Sequence, residues 1–344
     1  MRSPTMIDAP ITARSPLADL SRDRSSTIAT LPDYGWWIGG GMIGSLAMLA
    51  VMIRAAGLSI NPLNPDNLPL GVASLILLAL RFGVRNQEWR HARAVADGAE
   101  YFGVFTMLAL MGAIASYPAA AMTEGFHDAA LQRIDLFLHF DWLAWYRLVA
   151  ANSMLQTLGL AAYRSIYLTP AVLLATFAAT NNRVAAHRFL ATFWLAAIGT
   201  LILYTFMPAV GPFSYLWHLP IGYMPESEQW QQGLIPALRD HSVRVIDLGH
   251  LRGIVSAPSF HAAAAAIYIN TAWRLGRLRW PVLAINTAML VATPVEGTHY
   301  LVDILLGVAV ALAAIATLNR LMPHEPASPS KRVLTIRGYR AEIG

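Results

Sequence analysis

The sequence has no cysteine, which excludes disulfides, thiol nucleophiles and Cys-ligated zinc or iron–sulfur centres. Charge is also scarce. Asp, Glu, Lys and Arg make up 13% of the chain, about half of the ~25% usual in a soluble domain. With 56% hydrophobic residues and a mean hydropathy of +0.46, a water-soluble fold is excluded, and so is disorder outside the chain ends. No charged-then-apolar segment with a small-residue cleavage site opens the chain, so no removable signal peptide is expected. Internal repeats and low-complexity tracts are lacking too.

What the 344 residues do contain is long apolar runs. A bilayer core needs about 20 mostly apolar residues per helix. Eight stretches qualify, at 36–56, 68–83, 102–122, 160–180, 186–207, 258–275, 280–297 and 299–321. The expected fold is all-α, a polytopic membrane helix bundle of about eight transmembrane helices. The second stretch is the shortest, and Arg164 with Pro170 predicts a kink in the fourth. Residues 1–34 read as a flexible polar tail and 323–344 as a basic one.

Alternating the crossings puts eighteen of the 25 Lys and Arg residues on the face that holds both termini and seven on the other. That asymmetry places the termini in the cytoplasm, and the compact architecture points to a bacterial inner membrane. It also accounts for the net charge of +5 without a nucleic-acid partner, for which there is no basic–aromatic motif. The far face carries two long connections. Residues 123–159, with Trp142, Trp145 and Tyr146, predict an interfacial amphipathic helix whose rings sit at headgroup depth. Residues 208–257 form a loop of a length that is usually functional or disordered. Seven of the ten histidines also lie on this face.

Two of them stand in chemically suggestive surroundings. His299 and Asp303 are one helical turn apart at the start of the last span, so both side chains share a face. A carboxylate at the edge of hydrocarbon marks a function or a partner, and one that accepts a hydrogen bond from an imidazole makes the other ring nitrogen a better base or nucleophile. Ala257-Pro258-Ser259-Phe260-His261 opens the sixth span. Pro suits a first helical turn, free N–H groups there attract an anion, and His261 can deliver a proton. Each feature has a structural alternative, a polar pair tying helices in one case and a capped helix start in the other. Crossing parity puts His261 and His299 on the same face, a good arrangement for a phosphoryl group. A zinc-like site of His299, Asp303 and His261 is the competing chemistry, although no HExxH motif accompanies it.

Pro258-Ser259-Phe260-His261, followed 38 positions later by His299-x-x-x-Asp303, resembles the second and third signatures of the type 2 phosphatidic acid phosphatase (PAP2) superfamily. The resemblance covers a six-helix core over 102–322 and leaves 35–101 as two additional N-terminal helices. It implies His299 as nucleophile, Asp303 as its orienter, His261 as proton donor to the leaving group, Ser259 as a phosphate ligand, and no metal or other cofactor. The substrate it implies is a phospholipid or polyprenyl phosphate, reached from the bilayer. The basic members of the family's signatures are missing: Thr200 and Met207 replace Lys and Arg of the first, Ala292 and Thr293 replace Ser-Arg of the third. Met207-Pro-Ala-Val-Gly-Pro212 and Gly297-Thr-His-Tyr-Leu-Val-Asp303 resemble instead the inositol phosphorylceramide synthase and sphingomyelin synthase branch, which transfers phospho-headgroups between lipids. Arg164, Arg252 and Arg244 are candidates for the missing phosphate clamp, with pairing of Arg164 to Asp135 or Asp141 as the structural alternative. Glu296 is a candidate to activate an acceptor hydroxyl or water, or else caps a helix end. Hydrolysis with water as acceptor and non-catalytic lipid binding are the remaining readings.

Overall fold

The computed structural model describes residues 34–231 and 233–321. The two expected tails fall outside them, apart from Tyr34, where the first helix begins. The described residues are mainly helical: α1 (Tyr34–Ala55), α2 (Leu68–Gly83), α3 (Ala92–Ala121), α4 (Asp128–Phe137), α5 (Trp142–Ala150), α6 (Ser153–Arg164), α7 (Leu168–Ala179), α8 (Arg183–Phe206), α9 (Pro212–Leu216), α10 (Glu228–Gln231), α11 (Leu234–Arg239), α12 (Phe260–Ala272), α13 (Arg279–Glu296) and α14 (Leu301–Leu321). It is an integral membrane protein of the polytopic helix-bundle class.

Among the described residues, α1, α2, α3, α8, α13 and α14 lie in stretches long and apolar enough to cross a bilayer. The kink expected in the fourth span is a break at residues 165–167, with α6 and α7 bent by 41°. Pro170 sits in the first turn of α7, where its missing N–H costs nothing.

The sixth expected span differs from expectation. Residues 258–275 were predicted to cross as one helix, but α12 has 13 residues, about 20 Å at ~1.5 Å per residue against the ~30 Å of a hydrocarbon core. The approach to it is non-helical, with Ile254, Ser256 and Ala257 buried. Irregular backbone at membrane depth is tolerated where protein surrounds it. An apolar run alone does not distinguish a spanning helix from a short buried one.

α12 is the centre of the bundle. Its run of alanines at 262–266 is almost entirely buried, and small side chains let α8, α13 and α14 approach closely. The closest approach is at Gly307 of α14, where a Cβ would overlap the carbonyl oxygen of Ser259. Around this axis Phe105 of α3, Phe177 of α7, Phe189 and Phe193 of α8 and Tyr268 of α12 form the main apolar core.

The N-terminal pair packs on the outside. α2 buries no residue, while α1 lies against α3 and α8, with Trp194 Nε1 donating to Ser45 Oγ at 3.1 Å. A short parallel pairing of Ser59–Ile60 with Val245–Ile246 ties the connection after α1 to the long loop.

The amphipathic helix α5 is less superficial than its composition predicts. Trp142 and Tyr146 are fully buried, stacked on each other at 5.3 Å and packed against Phe213. The indole of Trp142 donates to Pro294 O at 2.7 Å and Tyr146 Oη to Tyr223 O at 2.6 Å. Both rings have polar tips that found partners inside the protein, which overrides their preference for the headgroup layer.

Candidate functional site

The turn between α13 and α14 carries His299. Gly297 leaves no room for a side chain: a Cβ there would stand 2.7 Å from His299 Cδ2 and 3.1 Å from Tyr163 Cε2. Thr298 is left-handed, with φ of 48°, an uncommon state for a β-branched residue. It is held by Glu228 Oε1, 3.2 Å from its hydroxyl, and by Ser227 Oγ at 3.2 Å. Gly211, at φ 94°, comes so close that a Cβ would meet Thr298 O at 2.8 Å. The N–H of His299 donates to Pro294 O, the same carbonyl that the Trp142 indole fixes.

Asp303 is fully buried and His299 nearly so. Asp303 Oδ2 accepts from the Tyr300 N–H at 3.1 Å and lies 3.7 Å from His299 Nδ1, beyond hydrogen-bond range. His299 Nδ1 and Asp303 Oδ1 therefore have no hydrogen-bond partner. A movement of under ~1 Å closes that gap, in keeping with catalytic hydrogen bonds that tighten only around substrate. With Nδ1 turned to Asp303, Nε2 is the ring nitrogen left for chemistry.

The start of α12 is locked to the same turn, since the Ser259 N–H donates to Asp303 O at 2.9 Å. Ser259 is the N-cap of α12 and its Oγ accepts from the Ala262 N–H. It is fully buried and lines neither cavity at the site, while its backbone joins the start of α12 to the turn that carries His299 and Asp303. His261, one turn in, stacks on Tyr163 with 4.0 Å between ring centroids and 12° between planes. Tyr163 also lies against Gly297, where an added Cβ would stand 3.1 Å from its Cε2. His261, His299, Tyr163 and Gly297 all line one cavity of about 180 Å³. A second cavity adjoins it, shares Tyr163 and His261, and is lined also by Arg164, Glu226 and Arg252.

The structure thus brings His261, His299 and Asp303 together, with Arg164 and Arg252 at the adjoining mouth. Arg164 pairs with neither Asp135 nor Asp141. Its guanidinium makes a forked contact with Glu226, at 2.9 and 3.0 Å. Arg252 is half-buried beside His261, its guanidinium donating to Leu251 O. Arg244 donates to His241 O and lines neither cavity. Glu296 accepts from Tyr223 Oη at 2.6 Å and from the Glu226 N–H at 3.3 Å, contacts that tie the long loop to the end of α13, and it lines neither cavity. His299 and Asp303 approach each other to 3.7 Å, but with His261 they do not form a trio whose ligand atoms all lie within 4.8 Å of one another. Among the described residues Asp66, Asp247 and His250 do, on the loop surface outside both cavities.

Two buried acids of α4 are additions to the sequence reading. Asp135 accepts from the N–H groups of Leu301 and Val302 at 2.7 and 2.9 Å, capping α14. Burial still holds its carboxyl above the ordinary range, with these N–H groups pulling the other way. Asp128 accepts from the Val210 and Gly211 N–H groups and from Tyr300 Oη, all at 3.0 Å. The two acids are seven residues apart, hence on one face of α4. That spacing was the available signal.

The turn with its histidine, the buried aspartate behind it and the second histidine at a helix start make one cluster of groups able to donate and accept protons. The chain belongs to the PAP2 superfamily, whose profile matches residues 129–317, and that membership supports phosphatase- or phosphotransferase-type chemistry. No curated protein and no solved structure matches the chain.

Proposed function

We propose that this protein is a metal-independent phosphotransferase or phosphatase acting on a lipid phosphate, at the face that carries the long loops and lies outside the cytoplasm. The observation that carries the reading is the meeting of His261 and His299 on one cavity with Asp303 directly behind the second. His299 Nε2 attacks phosphorus, and the P–O bond to the leaving group breaks as His261 delivers its proton to that oxygen. Asp303 stabilises the imidazolium that forms. Water or a lipid alcohol then attacks the phosphohistidine, giving its proton to His261, and the His299–phosphorus bond breaks. Arg164, Arg252 and the backbone N–H groups opening α12 neutralise the equatorial oxygens.

We assign the chain to the inositol phosphorylceramide synthase-like branch, in which an alcohol is the acceptor. The support is the absence of basic residues at 200, 207 and 293. Purified protein is to be incubated with phosphatidic acid, a polyprenyl pyrophosphate, and phosphatidylinositol plus ceramide, following free phosphate and new lipids together. Transfer products that disappear in His299→Ala are expected. Phosphate release alone moves the protein to the hydrolytic branch, and wild-type turnover by His299→Ala refutes the mechanism.

A further inference from the structure

The cavity does not stop at the histidines. Along α3 it runs from Ser116 past Gly112 and Ala109 to Phe105, roughly 16 Å at ~1.5 Å per residue. Ala197 and Leu201 of α8 form the facing wall. Small residues keep the passage open and narrow: a Cβ on Gly112 would stand 3.8 Å from the Ala197 Cβ. An aromatic floor closes it, with Phe105 and Phe193 ring centroids 4.7 Å apart. α1 covers the seam between α3 and α8 from outside, where its Leu49 packs with Met111, Ala115 and Leu201. The opposite side is the break between α6 and α7. Ile166 and Tyr167 line both cavities there, and Tyr167 is 68% exposed. α1 and α3 both precede the region that matches the family.

We infer that this slot holds one hydrocarbon chain of the substrate lipid, taken in sideways past Tyr167, and that α1 and α3 make the protein selective for chain length. The inference rests on the lipid-phosphate reading of the site. A long apolar passage with two imidazoles in its lining suits a molecule with an anionic head and one apolar tail. Water gains few hydrogen bonds along such walls, whereas each buried methylene is worth ~0.8 kcal/mol.

The test uses the full chain in nanodiscs, with octanoyl and palmitoyl phosphatidic acids and para-nitrophenyl phosphate as an ester without a chain. Ala109→Phe blocks the middle of the slot, and Ala113→Leu is the milder variant should the first fail to fold. Expected is a loss of at least tenfold in kcat/KM for the palmitoyl lipid, with the octanoyl lipid and the chain-free ester within twofold of wild type. Equal losses on all three, or no loss, overturn the slot. A photoactivatable group at the chain end of phosphatidic acid gives a readout independent of turnover. Labelled peptides from 105–116 and 193–201 support the slot, and labels confined to outward residues such as Leu305 and Leu312 overturn it. Labelling within the slot by a wild-type protein that turns over no ester sinks the enzymatic reading and leaves the slot. Turnover that depends on His299, with labels only outside, does the reverse.

Discussion

The contact between α14 and α12 gives the sharpest prediction. In an exposed helix Gly→Ala gains about 0.5–1 kcal/mol, because alanine loses less freedom on folding. At Gly307 the sign reverses. The added Cβ would overlap the Ser259 carbonyl oxygen and stand 3.1 Å from the Ala262 Cβ. The overlapped atom is backbone at a helix start, so no rotamer relieves it. Restoring the 3.0 Å that Cβ contacts essentially always respect requires the start of α12 to retreat by about 1 Å, a displacement that can cost ~10²-fold in rate where reacting groups must be aligned. Overpacking of this kind also costs about 1–3 kcal/mol of stability. Ser259 is moreover the residue whose N–H holds Asp303 O, so His261 moves relative to His299 and Asp303. The assay is turnover of a lipid phosphate together with Tm in detergent. Gly103→Ala is the control, since its nearest neighbour there is Leu77 Cδ1 at 3.9 Å. Gly307→Ala should lose roughly two orders of magnitude in kcat and melt lower, and the control should do neither. Wild-type activity and Tm in Gly307→Ala would refute the claim that this contact sets the spacing of the two histidines.

Arg164 and Glu226 should give opposite results: Arg164→Ala raises KM for the lipid phosphate, by about tenfold for a lost charge-assisted contact, whereas Glu226→Gln releases the guanidinium and lowers KM. Shifts in the same direction would show that Arg164 does not meet the phosphate. Trp142→Phe keeps the ring packing but removes the donor to the carbonyl that holds the His299 N–H, so stability should fall by about 1 kcal/mol. An unchanged denaturation midpoint contradicts this. The carboxyl of Glu228 is held above the ordinary 4.5 by burial, with the Ser214 and Thr298 hydroxyls pulling the other way. A raised value means that the folded state holds the proton more tightly, so its contribution is present below the unfolded pKa and is lost as pH rises through the raised one. Glu228→Gln should flatten the fall of Tm as pH rises above the ordinary 4.5. An unchanged slope would mean that Glu228 does not ionise as buried.

The spans were legible because each needs a long apolar run, and the His299–Asp303 pair because one helical turn is a local distance. Elements whose position depends on remote partners were not. Asp128 meets Tyr300 from 172 residues away and Asp135 meets Leu301 from 166 away; their spacing marks a face of α4 without naming what that face meets. Tyr163 reads as one more apolar residue of a span, and only the bend after α6 brings it against His261. Glu296 and Arg164 stand out in the sequence as candidate site residues, yet their partners, Tyr223 and Glu226, sit in a loop whose path no periodicity predicts. The shortness of α12 was hidden because buried apolar residues look alike whether protein or lipid surrounds them.

The placement of charge explains why the family's basic positions stand empty. Thr200 is buried in the wall of the apolar slot with its hydroxyl unpartnered. Met207 packs with Leu131, Ala209, Ala257 and Tyr300, and Thr293 is buried with its hydroxyl bonded to Met289 O. A Lys or Arg at any of these positions would have to displace this packing, and burying its charge costs several kcal/mol unless it is paired. Positive charge can approach His261 cheaply only from the loop side, where Arg164 and Arg252 line the adjoining cavity. On the proposed reading, head and tail of the substrate are sorted by this division, the anion drawn toward the arginines and the chain along α3. The long loop is then part of the active site, not a cover over it. The same stretch carries Glu226, which holds Arg164, and Ser227 and Glu228, which hold Thr298 in a conformation that costs about 1–3 kcal/mol. Loop order and the aim of His299 are therefore one property, and a substitution that loosens residues 223–228 should weaken phosphate binding and slow the chemical step together.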